Sequence, residues 1–303
     1  MNTYLDCIPC FLRQALDAAR LVTNDEVIHE RLMHEILRAA CTLDPRKPPP
    51  AMGQRIHRRI RELTCQSDPY QNAKDRLNRL ALQYLPELQA RVARSHTPLE
   101  TATRLAIAGN VIDMGVNSAL RDAHVREVID RSLSAPLLGD ASEFGRAVDA
   151  ANRILFLADN AGELVFDRLL IEQLPPAKVT VAVRGAPVIN DATLADAETA
   201  GLLEMVEVID NGSDAPGTIL ADCSAAFRRR FDAAELVIAK GQGNYETLSH
   251  VSKDIFFALL AKCPVIAREV GCDVGSLVLR RSSGAPAKAQ HGRKAAVAAR
   301  QTR

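Results

Sequence analysis

No apolar run in the chain reaches the roughly 18–20 residues that a membrane-spanning helix needs. The best candidate, "IFFALLAKCPVIA" (255–267), is broken by Lys262 and Pro264. The first ten residues, "MNTYLDCIPC", lack both the basic start and the apolar centre of a secretory signal. The seven cysteines (Cys7, Cys10, Cys41, Cys65, Cys223, Cys263, Cys272) are odd in number and scattered, which fits reduced thiols rather than a disulfide framework. The seven histidines form no close pair at ligand spacing, so none is assigned to a metal. Acid is missing from residues 281–303, which carry Arg281, Lys288, Arg293, Lys294, Arg300 and Arg303, so the net charge of +1 hides a mildly acidic body. This basic, small-residue segment reads as a solvated tail, and its lack of aromatics argues against nucleic acid as a partner. These absences read as a cytoplasmic protein with no membrane span.

What is present fits a globular protein. At 303 residues, 47% hydrophobic and 25% charged, the chain can form one large or two ordinary domains. Residues 1–105 read as a helical domain. Leu5, Ile8, Phe11, Leu12, Ala15, Leu16 and Ala19 recur at helical spacing, and Thr23 with Glu26 has the form of a capping box opening a second helix. That helix is expected to turn Val27, Ile28, Leu32, Ile36 and Leu37 inward. "DPRKPPP" (44–50) breaks the pattern. A third helix follows around Ile56, Ile60 and Leu63, and a fourth around Leu77 to Leu88, which Pro86 is expected to kink or interrupt.

From about residue 150 short β-branched runs alternate with helical segments. "RILFLAD" (153–159), "KVTVAVRG" (178–185), "LEMVEVID" (203–210), "AELVIAKG" (234–241) and "FFALLAKC" (256–263) read as buried strands. "AGELVFDRLLIEQL" (161–174) and "GTILADCSAAFRRRF" (217–231) read as helices between them. The alternation predicts a doubly wound, mainly parallel, Rossmann-like α/β sheet within a domain spanning 106–280. In such folds the ligand crevice lies outside the carboxyl ends of the strands.

The strand exits hold Asp159 and Asn160; Arg184 with Asn190 and Asp191; Asp210 and Asn211; and Lys240 with "GQGNYE". Carboxylate and amide oxygens suit a hard divalent cation such as magnesium or manganese. Arginine, lysine and glycine-loop N–H groups suit phosphate oxygens. Each signal also has a plainer reading. Asp-Asn after a strand is commonly a turn or cap, "NDAT" (190–193) is equally good as a cap, and "DNGSDAPG" (210–217) is sound loop chemistry. "KGQGN" lacks the length and the Ser/Thr of a P-loop. Independent caps, however, do not require ligand-type groups at four successive exits.

"LADNAGELVFD" (157–167), "VAVRGAPVINDAT" (181–193), "VIDNGSDAPGT" (208–218) and "AKGQGNYETL" (239–248) resemble the signature blocks of the damage-control phosphatases. This family was catalogued as domain of unknown function 89 and is also named after an acidic-residue methyltransferase. "CIPC" (7–10), "DPYQNAK" (68–74) and "AIAGNVIDMG" (106–115) extend the resemblance to roughly residues 4–280, and the Cys-x-x-Cys start is similar to the stand-alone microbial branch. The resemblance implies a phosphatase acting on small phosphorylated metabolites such as sugar phosphates, with a divalent manganese, nickel, cobalt or magnesium ion held by Asp159, Asn160 and Asp191. It also implies phosphate contacts from Lys240 and Arg184, with Asn110, Asp113, Gly241 and Asn244 as further substrate-binding positions. Catalysis would rest on Asp159, Asn160, Asp191 and Lys240.

The general base is open, with Glu163 and Asp196 as candidates. "DNA" puts Ala161 where a D-x-D phosphotransferase has a second aspartate, which counts against Asp159 as a covalent nucleophile. Two other classes compete. An S-adenosylmethionine-dependent carboxyl methyltransferase would normally want a glycine-rich turn after the first strand, where "ADNAGE" has only Gly162. A binding module that senses a phosphometabolite without turnover has the same residues. Cys7 and Cys10 share a helix face and read equally as a half metal site, a redox pair or packing thiols. Cys41, Cys65, Cys223 and Cys263 read as buried packing thiols.

Overall fold

The fold is that of a computed structural model describing residues 1–110 and 122–282. Asp113, and the tail from residue 283 onward, lie outside the described residues. The helices are α1 (Cys7–Val22), α2 (Glu26–Cys41), α3 (Pro49–Thr64), α4 (Gln71–Ala93), α5 (Pro98–Gly109), α6 (Asp122–Ser134), α7 (Ala141–Ala150), α8 (Glu163–Ile171), α9 (Leu194–Thr199), α10 (Ala225–Ala233), α11 (Gly241–Leu248) and α12 (Pro264–Val270). The strands are β1 (Leu137–Gly139), β2 (Ile154–Leu157), β3 (Val179–Val183), β4 (Glu207–Asp210), β5 (Leu236–Lys240), β6 (Ile255–Leu260) and β7 (Leu277–Arg281). Among the described residues no helix is long and apolar enough to cross a membrane.

The strands form one sheet in the order β1-β7-β6-β5-β2-β3-β4, parallel throughout except where β7 runs antiparallel to β6. Alternate residues of each strand feed two cores, because successive side chains leave a strand on opposite faces. Ile154, Phe156, Val181 and Ile238 join α4, α5 and α8 on one face. Leu155, Leu157, Val237 and Phe257 join α10, α11 and α12 on the other. Burial on both faces explains why the central strands read as unbroken apolar runs. The chain leaves β2 toward β3 and β4 and then returns to β2's other side with β5. The carboxyl ends of β2 and β5 therefore flank the point where winding reverses, where ligand crevices form.

Several local expectations are corrected. The buried side chains of α4 and α5 belong to the sheet's core, while those of α1 to α3 make a smaller cluster, so the packing does not divide at residue 105. α2 is capped by Asp25, which accepts from Val27 N at 2.9 Å, and Thr23 instead ends α1. Leu5, Val27 and Leu37 are exposed. α4 runs through Pro86 unbroken. The segment expected to be helical from 217 becomes so only at Ala225, where the Ser224 hydroxyl accepts from Phe227 N at 3.1 Å. Strand β7 reaches Arg281, whose guanidinium pairs with Asp254 and Glu143 at 2.7 Å each, so Arg281 is part of the sheet and not of a tail. Cys41 and Cys65 are exposed because they end α2 and α3; Cys223 is buried as expected, and Cys263 is half-buried at the N-cap of α12.

Candidate active site

The loops after β2 and β3 are held edge to edge. Asn160 and Asp191 form a bridge, Ala161 N donates to Asn190 O and Ala192 N to Asp159 O, both at 2.8 Å. Thr193 takes the capping role, sharing a reciprocal capping box with Asp196 at the start of α9, and Asp191 is left to the site. Ile189, two residues earlier, has φ +45°, a left-handed conformation uncommon for a β-branched residue and the kind of strain that gathers at functional sites.

Asp159, Asn160 and Asp191 share one wall of a cleft of about 570 Å³. The cleft is also lined by residues of α1 (Cys7, Cys10, Phe11) and α3 (Pro49, Pro50, Gly53). Three other expected residues sit close behind. Arg184 is 2% exposed; its Nε donates to Asp191 Oδ2 at 2.6 Å, and its Nη2 lies 3.6 Å from Asp159 Oδ1. That Nη2 is buried with no hydrogen-bond partner. Asn110 donates to Glu163 Oε2 at 2.6 Å and to Asp159 Oδ2 at 3.2 Å. Gly241 has φ +74° and lies so close that a β-carbon there would collide with the Asp159 carboxylate.

Lys240 differs from expectation. Its side chain is fully buried, and the ammonium donates to Ala106 O (2.9 Å), Glu163 Oε1 (2.6 Å) and Asp167 Oδ1 (2.5 Å). An ammonium has three protons, and these three acceptors match them. Burial disfavours its charge, but Asp167 and Glu163 outweigh burial and hold it above the ordinary lysine range. Asp167, pushed up to about 7 by burial against the pull of Lys240, closes the block "LADNAGELVFD" but was given no role from sequence. Asn244 is likewise internal: it donates to Ala158 O and Lys240 O and accepts from Thr218, tying β2 to β5.

The two base candidates are both committed to the scaffold. Glu163 accepts from Lys240, Asn110 and Asn160. Asp196 accepts from Lys74 and Asn78, and Asn78 also takes the N–H of Gly162 at 2.6 Å, fixing the loop after β2 from α4. The third strand exit follows the plainer reading. Asn211 accepts from Gly185 N and Ser213 N, and Asp214 is clamped by Arg58 and Arg61 of α3, which together hold its carboxyl down to about 2 even though burial pushes it up.

The electrostatics favour a cation. Asp159, Glu163, Asp167 and Asp191 are four buried carboxylates facing two fully buried cations, Lys240 and Arg184. Burial above all, then Glu163 and Asp191, push the Asp159 carboxyl well above the usual aspartate range, with Arg184 and Lys262 pulling the other way. Such excess charge is relieved by a proton or a bound cation. Among the described residues no three His, Cys, Asp or Glu side chains converge as a metal cage. The available donor set is two carboxylates and a carboxamide. Asn160 Nδ2 is held by Asp159 and Glu163 at 3.0 Å each, so its oxygen is the atom left to coordinate. Oxygen donors of this kind fit a hard divalent ion.

A doubly wound α/β sheet with a buried acidic cluster at its winding reversal defines the class of protein. The chain matches the damage-control phosphatase ARMT1-like domain over residues 3–278, and it belongs to that family. It is 37% identical over 287 residues to an uncharacterised protein of Methanocaldococcus jannaschii, covering 90% of this chain and 93% of that one. It is 35% identical over 280 residues to a damage-control phosphatase of Archaeoglobus fulgidus, covering 90% and 97%. A crystal structure of a domain-of-unknown-function-89 protein from Pyrococcus horikoshii is similar with TM-score 0.85 and 32% identity, covering 93% of this chain and 99% of that chain.

Proposed function

We propose that the protein is a divalent-metal-dependent phosphatase of small phosphorylated metabolites such as sugar phosphates. The observation that carries this reading is the crowding of Asp159 by Glu163 and Asp191 in a buried site that opens onto a cleft. Asp159, Asn160 and Asp191 would hold the ion, which when bound lowers the pKa of a water and neutralises phosphate charge. Arg184 keeps the two carboxylates in register, and its unpartnered Nη2 is a donor in reserve for a phosphate oxygen. Asn110 and the buried Lys240 fix Glu163, and Glu163 fixes the Asn160 amide, so the coordinating oxygen is set before any ligand arrives. A cleft of about 570 Å³ is within the size of small-molecule sites. Two damage-control phosphatase relatives support the reaction class.

The test is hydrolysis of p-nitrophenyl phosphate after chelation and after return of manganese, nickel, cobalt or magnesium. The reading expects activity lost on chelation and restored by at least one ion. Turnover indifferent to chelation, or absent with every ion, would contradict it.

A further inference from the structure

Arg61, in the last turn of α3, reaches from the helical cluster into the loops that follow β3 and β4. Its Nη1 donates to the Pro187 carbonyl and its Nη2 to Asp214 Oδ2 at 2.5 Å. Pro187 has no N–H, so that carbonyl is its one backbone hydrogen-bonding group. It opens the turn that presents Asp191, in which Asp191 N donates back to Val188 O at 3.0 Å around the left-handed Ile189. A β-branched residue in that conformation strains the turn, which persists only where its surroundings hold it. Gly185 N on Ser213 O holds the chain before the turn and Ala161 N on Asn190 O holds its far side, both at 2.8 Å. The Arg61 contact falls between these two and comes from α3 rather than from another sheet loop.

We infer that Arg61 is a positioning residue for Asp191: by holding the Pro187 carbonyl it keeps the strained turn closed and the Asp191 carboxylate beside Asp159 and Asn160. Arg184 fixes that carboxylate directly, at 2.6 Å, and Arg61 fixes the backbone that carries it. The same helix lines the cleft with Pro49, Pro50 and Gly53, so α3 borders the ligand space at one end and steadies the acid cluster from the other. Arg58 provides an internal comparison. It clamps Asp214 at 2.6 Å as Arg61 does, and Gln54 adds a bond of 2.7 Å, but of these three side chains Arg61 alone reaches Pro187. The effect on metal binding rests on the cation-site reading above, whereas the effect on the turn belongs to the metal-free chain.

The experiment compares Arg61→Met, Arg61→Lys and Arg58→Met in the full chain. Hydrogen exchange of residues 188–192 is read by mass spectrometry without metal, and manganese affinity by calorimetry. In Arg61→Met, exchange of that segment should quicken and manganese affinity fall, each about tenfold, the lower end of the loss expected for one hydrogen bond from a charged donor. Arg61→Lys, which keeps a charged donor, should recover part of both. Arg58→Met should leave both within about threefold of wild type, although it too strips a cation from Asp214. Should Arg61→Met fail to fold, the same comparison is made between Arg61→Lys and Arg58→Lys, with the same outcomes required. Equal effects at positions 58 and 61, or exchange or manganese affinity unchanged by loss of Arg61, would overturn the inference. A wild type that binds no manganese would count against the phosphatase reading, and the exchange comparison would then decide the inference by itself.

Discussion

The α-carbon of Gly241 packs against the carboxylate of Asp159, with φ +74° and no room for a β-carbon between them. The first residue of α11 therefore sets how close β5 can come to the loop after β2.

Gly241→Ala should cost about 1–2 kcal/mol in left-handed strain and also displace Asp159. Gly275→Ala is the control, because Gly275 has φ +90° but nothing within 4 Å of a β-carbon. Both variants should melt a few degrees lower. Manganese affinity and turnover should fall at least tenfold in Gly241→Ala alone.

Lys240 leads to a second prediction. Removing one member of a buried charge cluster leaves the others uncompensated, at a cost of roughly 3–5 kcal/mol. Lys240→Met should therefore show a strongly lowered urea midpoint. Lys240→Met with Asp167→Asn should regain part of the loss, because one stranded carboxylate is gone. Equal stability of Lys240→Met and wild type would mean that the Lys240, Glu163 and Asp167 cluster does not stabilise the fold.

Much of this organisation was legible in the sequence, and the gaps have physical causes. Strands β2, β3, β5 and β6 were visible because strands buried on both faces are continuously apolar, whereas β4, expected as a buried strand over 203–210, is a half-exposed edge strand limited to Glu207–Asp210. β1 was missed as a three-residue, largely exposed edge, and β7 because it closes in Arg280 and Arg281, which look like the start of the basic segment. Asp159, Asn160 and Asp191 stood out as adjacent oxygen donors at strand ends. The burial of Lys240 did not, because its compensation comes from Glu163 and Asp167 on α8, a helix on which a lone carboxylate looks solvated.

Glu246, on the cleft wall, gives a pH prediction. Burial pushes its carboxyl up to about 7, with Gln242 and the terminal amine pulling down. A raised folded-state pKa means stability that is full below the ordinary glutamate value and is lost as pH rises through 7. Glu246→Gln should then be as stable as wild type at pH 4.5 and more stable at pH 8, by about 1–3 kcal/mol at about 1.4 kcal/mol per pKa unit. A variant less stable than wild type at pH 8 would show that the ionised carboxylate is favourable there.

The central claim is that Asp159, Asn160 and Asp191 bind a divalent cation, and calorimetric titration of manganese into chelator-treated protein tests it without any substrate. Asp159→Asn and Asp191→Asn keep size and shape while each removes one charge. The account predicts saturable binding by wild type, weakened at least tenfold in each variant, with folding unchanged by circular dichroism. Manganese binding as tight in both variants as in wild type would contradict it.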